Sequence, residues 1–139
     1  MNTANIFLLI TFLLVTLSSC TQEKEDNMDG IQKDTILQSV KDTCIDYRQQ
    51  IIKVTTKGEN WYFSTIEATN SYIEHNTDYK KQTSFPFTIE GKWFKIIRKK
   101  TNEFEIILFE NQSNASREMN INLWDKNYYT CTRIFQKRR

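Results

Sequence analysis

The feature that most restricts this chain is an inside-outside alternation in its C-terminal half. Phe104, Ile106 and Leu108 occupy every second position, and Met119, Ile121 and Leu123 do the same between Glu118, Asn120 and Asn122. Successive side chains of a strand point to opposite faces, so each run buries one face and wets the other. Residues 93–98 read as a strand ahead of a turn at 99–102, and 104–110 as its partner. The polar stretch 111–116 (NQSNAS) reads as a hairpin loop, and Asp125-Lys126-Asn127 as a turn into a last strand over 128–136. With no helical period between these strands, the pattern predicts an all-β fold with antiparallel pairing in a sandwich.

The upstream half is less regular. Residues 49–56 (QQIIKVTT) are β-branched and stop at Gly58-Glu59-Asn60, after which 61–65 (WYFST) resume, so a hairpin is expected there. Residues 70–86 mix polar and aromatic side chains and read mainly as a connection. Ile36, Leu37, Val40 and Cys44 follow Asp34 at a spacing that admits either a short helix or a first edge strand over 35–42. The expected core is Ile52, Val54, Phe104, Ile106, Leu108, Met119, Ile121 and Ile134, with Trp61 and Trp93 at strand starts also inside. Three Trp, six Tyr and nine Phe against three Gly and one Pro exclude a disordered chain. The 19 basic and 17 acidic residues leave a net charge of +2, too balanced to point to nucleic acid.

Residues 6–17 are apolar all round, and Leu17-Ser18-Ser19-Cys20 closes the run. A bilayer-spanning helix needs roughly 20 apolar residues, more than this run supplies. The segment resembles the lipobox of bacterial lipoprotein signal peptides, although residues 2–5 (NTAN) carry no Lys or Arg. The resemblance implies removal of residues 1–19, lipid on Cys20, and attachment to the outer membrane through that lipid. Residues 20–43 are then a lipidated N-terminus and tether, and 44–139 the domain. Lys24-Glu25-Asp26 resembles the acidic signal that sends some Bacteroidetes lipoproteins to the cell surface, and equally an ordinary solvated linker. Asp34-Thr35-Ile36 resembles the O-glycosylation acceptor of the same phylum, which would place sugar on Thr35.

With Cys20 taken by lipid, Cys44 and Cys131 remain, either bridged across the first and last strands or as two free thiols. Neither has the spacing of a zinc ligand pair, and the sequence calls for no metal or cofactor. The chain has one histidine, His75, in a polar loop, and no H-E-x-x-H, P-loop or G-x-S-x-G motif. Glu103 and Glu105 share a strand face, the usual pattern of a solvated surface. No catalytic residue is therefore assigned. Sugar rings and protein partners both favour aromatic side chains at surfaces, which makes Trp124, Tyr129, Tyr72 and Tyr79 the candidate ligand contacts.

Residues from about 50 to 136 further resemble the BACON-type domain. The likeness rests on Gly58-Glu59-Asn60-Trp61, Trp93-Phe94, Glu110-Asn111, Arg117 and Ile134-Phe135-Gln136. It implies an immunoglobulin-like antiparallel β-sandwich, common in Bacteroidetes envelope proteins, and a glycan or mucin ligand. Asn111 and Arg117 are expected to stabilise a loop, not to contact that ligand. Two functions are in view: a lipid-anchored, non-catalytic glycan-binding module, or a lipoprotein that binds an envelope protein as inhibitor, immunity protein or complex subunit.

The N-terminal reading is testable by Cys20→Ala, which should abolish lipid labelling and release the protein from membranes. Unchanged mass and membrane partitioning in that variant would contradict it.

Overall fold

The computed structural model describes residues 33–74, 81–126 and 128–139. Cys20 and the tether up to residue 32, His75, Tyr79 and Asn127 lie outside the described residues. The strands are β1 (Asp42–Ile45), β2 (Gln50–Thr55), β3 (Tyr62–Ala68), β4 (Ser71–Glu74), β5 (Phe87–Glu90), β6 (Phe94–Lys100), β7 (Glu103–Leu108), β8 (Arg117–Asp125) and β9 (Tyr128–Gln136). A single 3-10 turn, Lys81–Thr83, is the only helical element among the described residues. One sheet runs β1-β9-β8-β3-β4 and the other β2-β7-β6-β5. All pairs are antiparallel except β1 with β9.

This is the antiparallel β-sandwich that the alternation predicts, in the immunoglobulin-like arrangement that the resemblance implies. β2, β7 and β6 hold the places of strands B, E and D, while β3, β8 and β9 hold those of C, F and G. Trp61, just ahead of β3, is buried where such domains keep a core tryptophan. It meets Phe63 and Phe104 edge to face at ring separations of 5.3 and 5.5 Å. Val54, Phe104, Ile106, Leu108, Met119, Ile121 and Ile134 are all buried as expected, and Ile52 packs half-buried against them.

Both upstream and downstream loops differ from the hairpin expectation. β2 and β3 lie in different sheets, so Gly58-Glu59-Asn60 crosses the sandwich; β7 and β8 also change sheet across residues 109–116. Within the 70–86 connection, β4 returns on β3 through a tight turn at Thr69-Asn70, with Asn70 at φ 60°, a conformation asparagine tolerates. Residues 35–41 form no helix. Asp34 instead accepts hydrogen bonds from the backbone N–H of Ile36 (3.0 Å) and Leu37 (2.8 Å), and the edge strand begins only at Asp42. Partial burial would raise the Asp34 pKa, but those N–H groups and Lys41 outweigh it and hold the carboxyl below its ordinary 3.8.

This turn makes part of the expected tether belong to the fold. The compact unit runs Gln32–Arg139, and Ile36 is fully buried in the core. The Ile36 carbonyl accepts from Lys57 N–H (3.0 Å) and Gly58 N–H (3.1 Å). Gly58 is required there, because a Cβ would collide with the Thr35 carbonyl oxygen.

Truncating Ile121, a fully buried residue of β8, should cost about 2–5 kcal/mol as Ile121→Ala. Asn120→Ala, one position away on the outer face, should change stability by no more than about 0.5 kcal/mol in denaturant unfolding. Equal effects at the two positions would contradict the inward face.

Candidate functional site

The site follows from the outer face of the five-stranded sheet. Because Met119, Ile121 and Leu123 point inward, Glu118, Asn120, Asn122 and Trp124 of β8 point out. Their cross-strand partners lie in rows. Trp124 pairs with Tyr62 of β3 and Tyr129 of β9, Asn122 with Thr65 and Cys131, Asn120 with Glu67 and Arg133, and Glu118 with Phe135. A bulge between Phe63 and Thr65 shifts the register so that Tyr62 and Thr65 share this face. β1 adds Asp42 beside Arg133 and Cys44 beside Phe135, while β4 adds Tyr72 beside Glu67 and Glu74 beside Thr65.

At one end the Trp124 and Tyr129 rings stack, with centroids 5.4 Å apart and planes 13° from parallel. Tyr62 meets Trp124 at 4.9 Å and 72°. Trp124 is thus enclosed between two aromatic neighbours and only half-exposed, whereas Tyr129, at 59% exposure, turns its other ring face to solvent. Of the expected contacts, Tyr129 therefore offers a stacking surface and Trp124 supports it from behind. Tyr62 joins them without having been expected, since only the bulge in β3 brings it to this face. Tyr72 is exposed on the same face but two rows away, roughly 13 Å along the strands, and does not join the cluster.

Between the ends, Asn122 Nδ2 donates to Thr65 Oγ1 (2.8 Å) and to Glu67 Oε1 (3.4 Å). With its amide N–H groups committed to those oxygens, its carbonyl oxygen is what it offers a ligand. At the far end, Asp42, Cys44, Glu118, Asn120, Arg133 and Phe135 line an open depression of about 370 Å³. Arg133 Nε and Asp42 Oδ1 are 3.9 Å apart and both side chains are largely exposed.

Cys44 and Cys131 are not bridged. Both are on this face, but Cys44 is level with Phe135, four residues from Cys131, an offset of roughly 13 Å along β9. A disulfide allows a Cα separation of at most about 7 Å. Burial pushes the Cys131 thiol pKa up. Thr35 is exposed beside the Asp34 turn, away from the registered rows of this face.

The remaining polar candidates hold the fold. Asn111 is fully buried, its Nδ2 donating to the Ala115 (2.9 Å) and Lys137 (3.1 Å) carbonyls. Arg117 donates to Gln136 Oε1 (2.8 Å) and the Phe109 carbonyl (2.6 Å), with its guanidinium 4.3 Å from the Trp93 ring centre. Both play the loop-stabilising roles expected of them. On the opposite sheet, Glu103 faces Lys53 at 3.1 Å and Glu105 faces Lys99 at 2.7 Å, so each acid is matched to its own lysine. Among the described residues no three His, Cys, Asp or Glu side chains converge as a metal site.

The sequence reading did not anticipate Arg98. This side chain is buried, stacked 3.7 Å over Trp61, and its burial pulls the pKa down to about 10. It follows two isoleucines and precedes two lysines, so the sequence resembles a strand running out into solvent.

No family model matches the chain, and no curated protein matches it. Among solved structures, a protein of Bacteroides thetaiotaomicron determined by NMR is similar, with a TM-score of 0.62 at 17% identity. The match covers 81% of this chain and 94% of that one, a likeness of fold alone. A Bacteroides ovatus GH5 xyloglucanase in complex with a XXXG heptasaccharide matches at a TM-score of 0.48 and 11% identity, over 75% of this chain and 18% of that one. The chain thus shares its β-sandwich fold with that Bacteroides protein.

Proposed function

We propose that the mature protein is anchored to the outer membrane by lipid on Cys20 and binds glycan, without turnover, on the outer face of its five-stranded sheet. The observation that carries this is the Tyr129 ring: stacked on Trp124 behind, open in front, and followed by a polar track. A pyranose has an apolar face of C–H groups and a rim of hydroxyls. The first suits an aromatic ring, the second suits Asn122, Asn120 and the carboxylates beside them. Trp124, itself braced by Tyr62, holds the ring in place, so little side-chain entropy is lost when a sugar settles on it. The lipobox likeness of residues 17–20 supports the anchor, and the BACON likeness of residues 50–136 supports a carbohydrate ligand.

The test is binding of fluorescently labelled mature protein to a glycan array, comparing wild type with Tyr129→Ala. The variant should keep the wild-type melting temperature, because the side chain is largely exposed, and lose about 1–3 kcal/mol of affinity for whichever glycans bind. Absence of glycan binding by the wild type, together with crosslinking in cells to a single envelope protein, would overturn the proposal in favour of a protein partner.

A further inference from the structure

The outward residues of β9 are Tyr129, Cys131, Arg133 and Phe135, at every second position of one strand whose pairing with β8 is unbroken. Tyr129 and Phe135, both exposed aromatics, stand six residues apart, roughly 20 Å. Between them lie half-buried Cys131 and the exposed Arg133 on β9, with Asn122 and Asn120 alongside on β8. The depression beside Phe135 combines a ring 42% exposed with Arg133, Asp42, Asn120 and Glu118, which supply both donors and acceptors. That is a second aromatic-plus-polar site of the same chemistry as the first, too far away for one monosaccharide to reach both.

Building on the glycan reading above, we propose that the ligand is an extended, neutral, β-1,4-linked oligosaccharide lying along β9, with one end on Tyr129 and the other in the Phe135 depression. An extended, unbroken track selects an extended ligand: β-1,4 links between equatorial positions extend as a ribbon, whereas α-1,4 links curl away from a plane. Charge selects neutrality. On this face the acids Asp42, Glu67, Glu74 and Glu118 outnumber Arg133, so uronic or sialic acids meet net repulsion. Arg133, already beside Asp42 at 3.9 Å, serves as a hydroxyl donor and not as a receptor for a free anion.

Isothermal titration with β-1,4-linked gluco-oligosaccharides, from disaccharide to hexasaccharide, tests this directly. Affinity should rise at least about tenfold across the series and then level off. Phe135→Ala and Arg133→Ala should each remove most of that gain, while both variants stay folded: Arg133 is largely exposed, and loss of the partly covered Phe135 ring should lower the melting temperature only slightly. Counterparts oxidised to carboxylates at C6 should bind more weakly. A hexasaccharide no tighter than the disaccharide, wild-type hexasaccharide affinity in Phe135→Ala, or a preference for the carboxylated series would overturn the second site while leaving a Tyr129-centred glycan site standing. If other glycans bind through Tyr129 and this series does not, the ribbon is wrong and the binding face is right. If no glycan binds, both fall.

Discussion

A sandwich whose chain crosses repeatedly between its two sheets has to carry backbone over the ends of the core, where no ladder can satisfy its N–H and C=O groups. Buried polar side chains meet that requirement here. At one end Gln136 accepts from Arg117, while its Nε2 lies 3.1–3.2 Å from the Tyr47, Arg48 and Phe109 carbonyls. Asn111 closes the β7–β8 crossing beside it. At the other end Trp61 Nε1 donates to Thr56 Oγ1 (2.8 Å), and Gln38 ties the N-terminal segment to the Cys131 carbonyl (2.6 Å) and the Thr132 hydroxyl (3.1 Å). Gln82 pairs with both backbone groups of Phe63, as a neighbouring strand would, beside the bulge of β3.

Arg98 shows what such closure costs. Its Nη2 donates to the Thr101 carbonyl (2.8 Å) and its Nε lies 3.3 Å from that of Lys100, yet Nη1 is buried without a hydrogen bond. The stack on Trp61 offsets part of the desolvation, since a guanidinium is attracted to an aromatic face and is less strongly hydrated than an ammonium. With the ends closed in this way, β8 and β9 form a long, regular hairpin whose register sets Tyr129 against Trp124 and Arg133 against Asn120. The outer face is therefore preorganised by the same hydrogen bonds that close the core.

The strands from Phe94 onward were legible because their alternation leaves one consistent face, and the all-β class followed from them. The sheet to which each strand belongs was not legible. Residues 57–60 and 110–116 are short polar links, and a link of that length looks the same whether the chain returns beside its own strand or crosses to the other sheet. β4 was missed because its strand is short and its turn, Thr69-Asn70, lacks the glycine that usually marks a hairpin. For the site, Trp124, Tyr129 and Tyr72 could be named from composition and position. Their ranking could not, because it depends on which ring covers which. Cys44 and Cys131 do lie on neighbouring strands, but the parallel register that separates them leaves no trace in a single sequence.

The most direct measurement is a map of backbone amide chemical shifts, by NMR, during titration of the isotopically labelled mature domain with a β-1,4-linked gluco-hexasaccharide. The account predicts perturbations concentrated along β9 and the facing positions of β8, from Tyr129 to Phe135, with the β2-β7-β6-β5 sheet unaffected. Saturable shifts confined to that opposite sheet or to the crossings at the ends of the sandwich, with the β9 face unchanged, would contradict it.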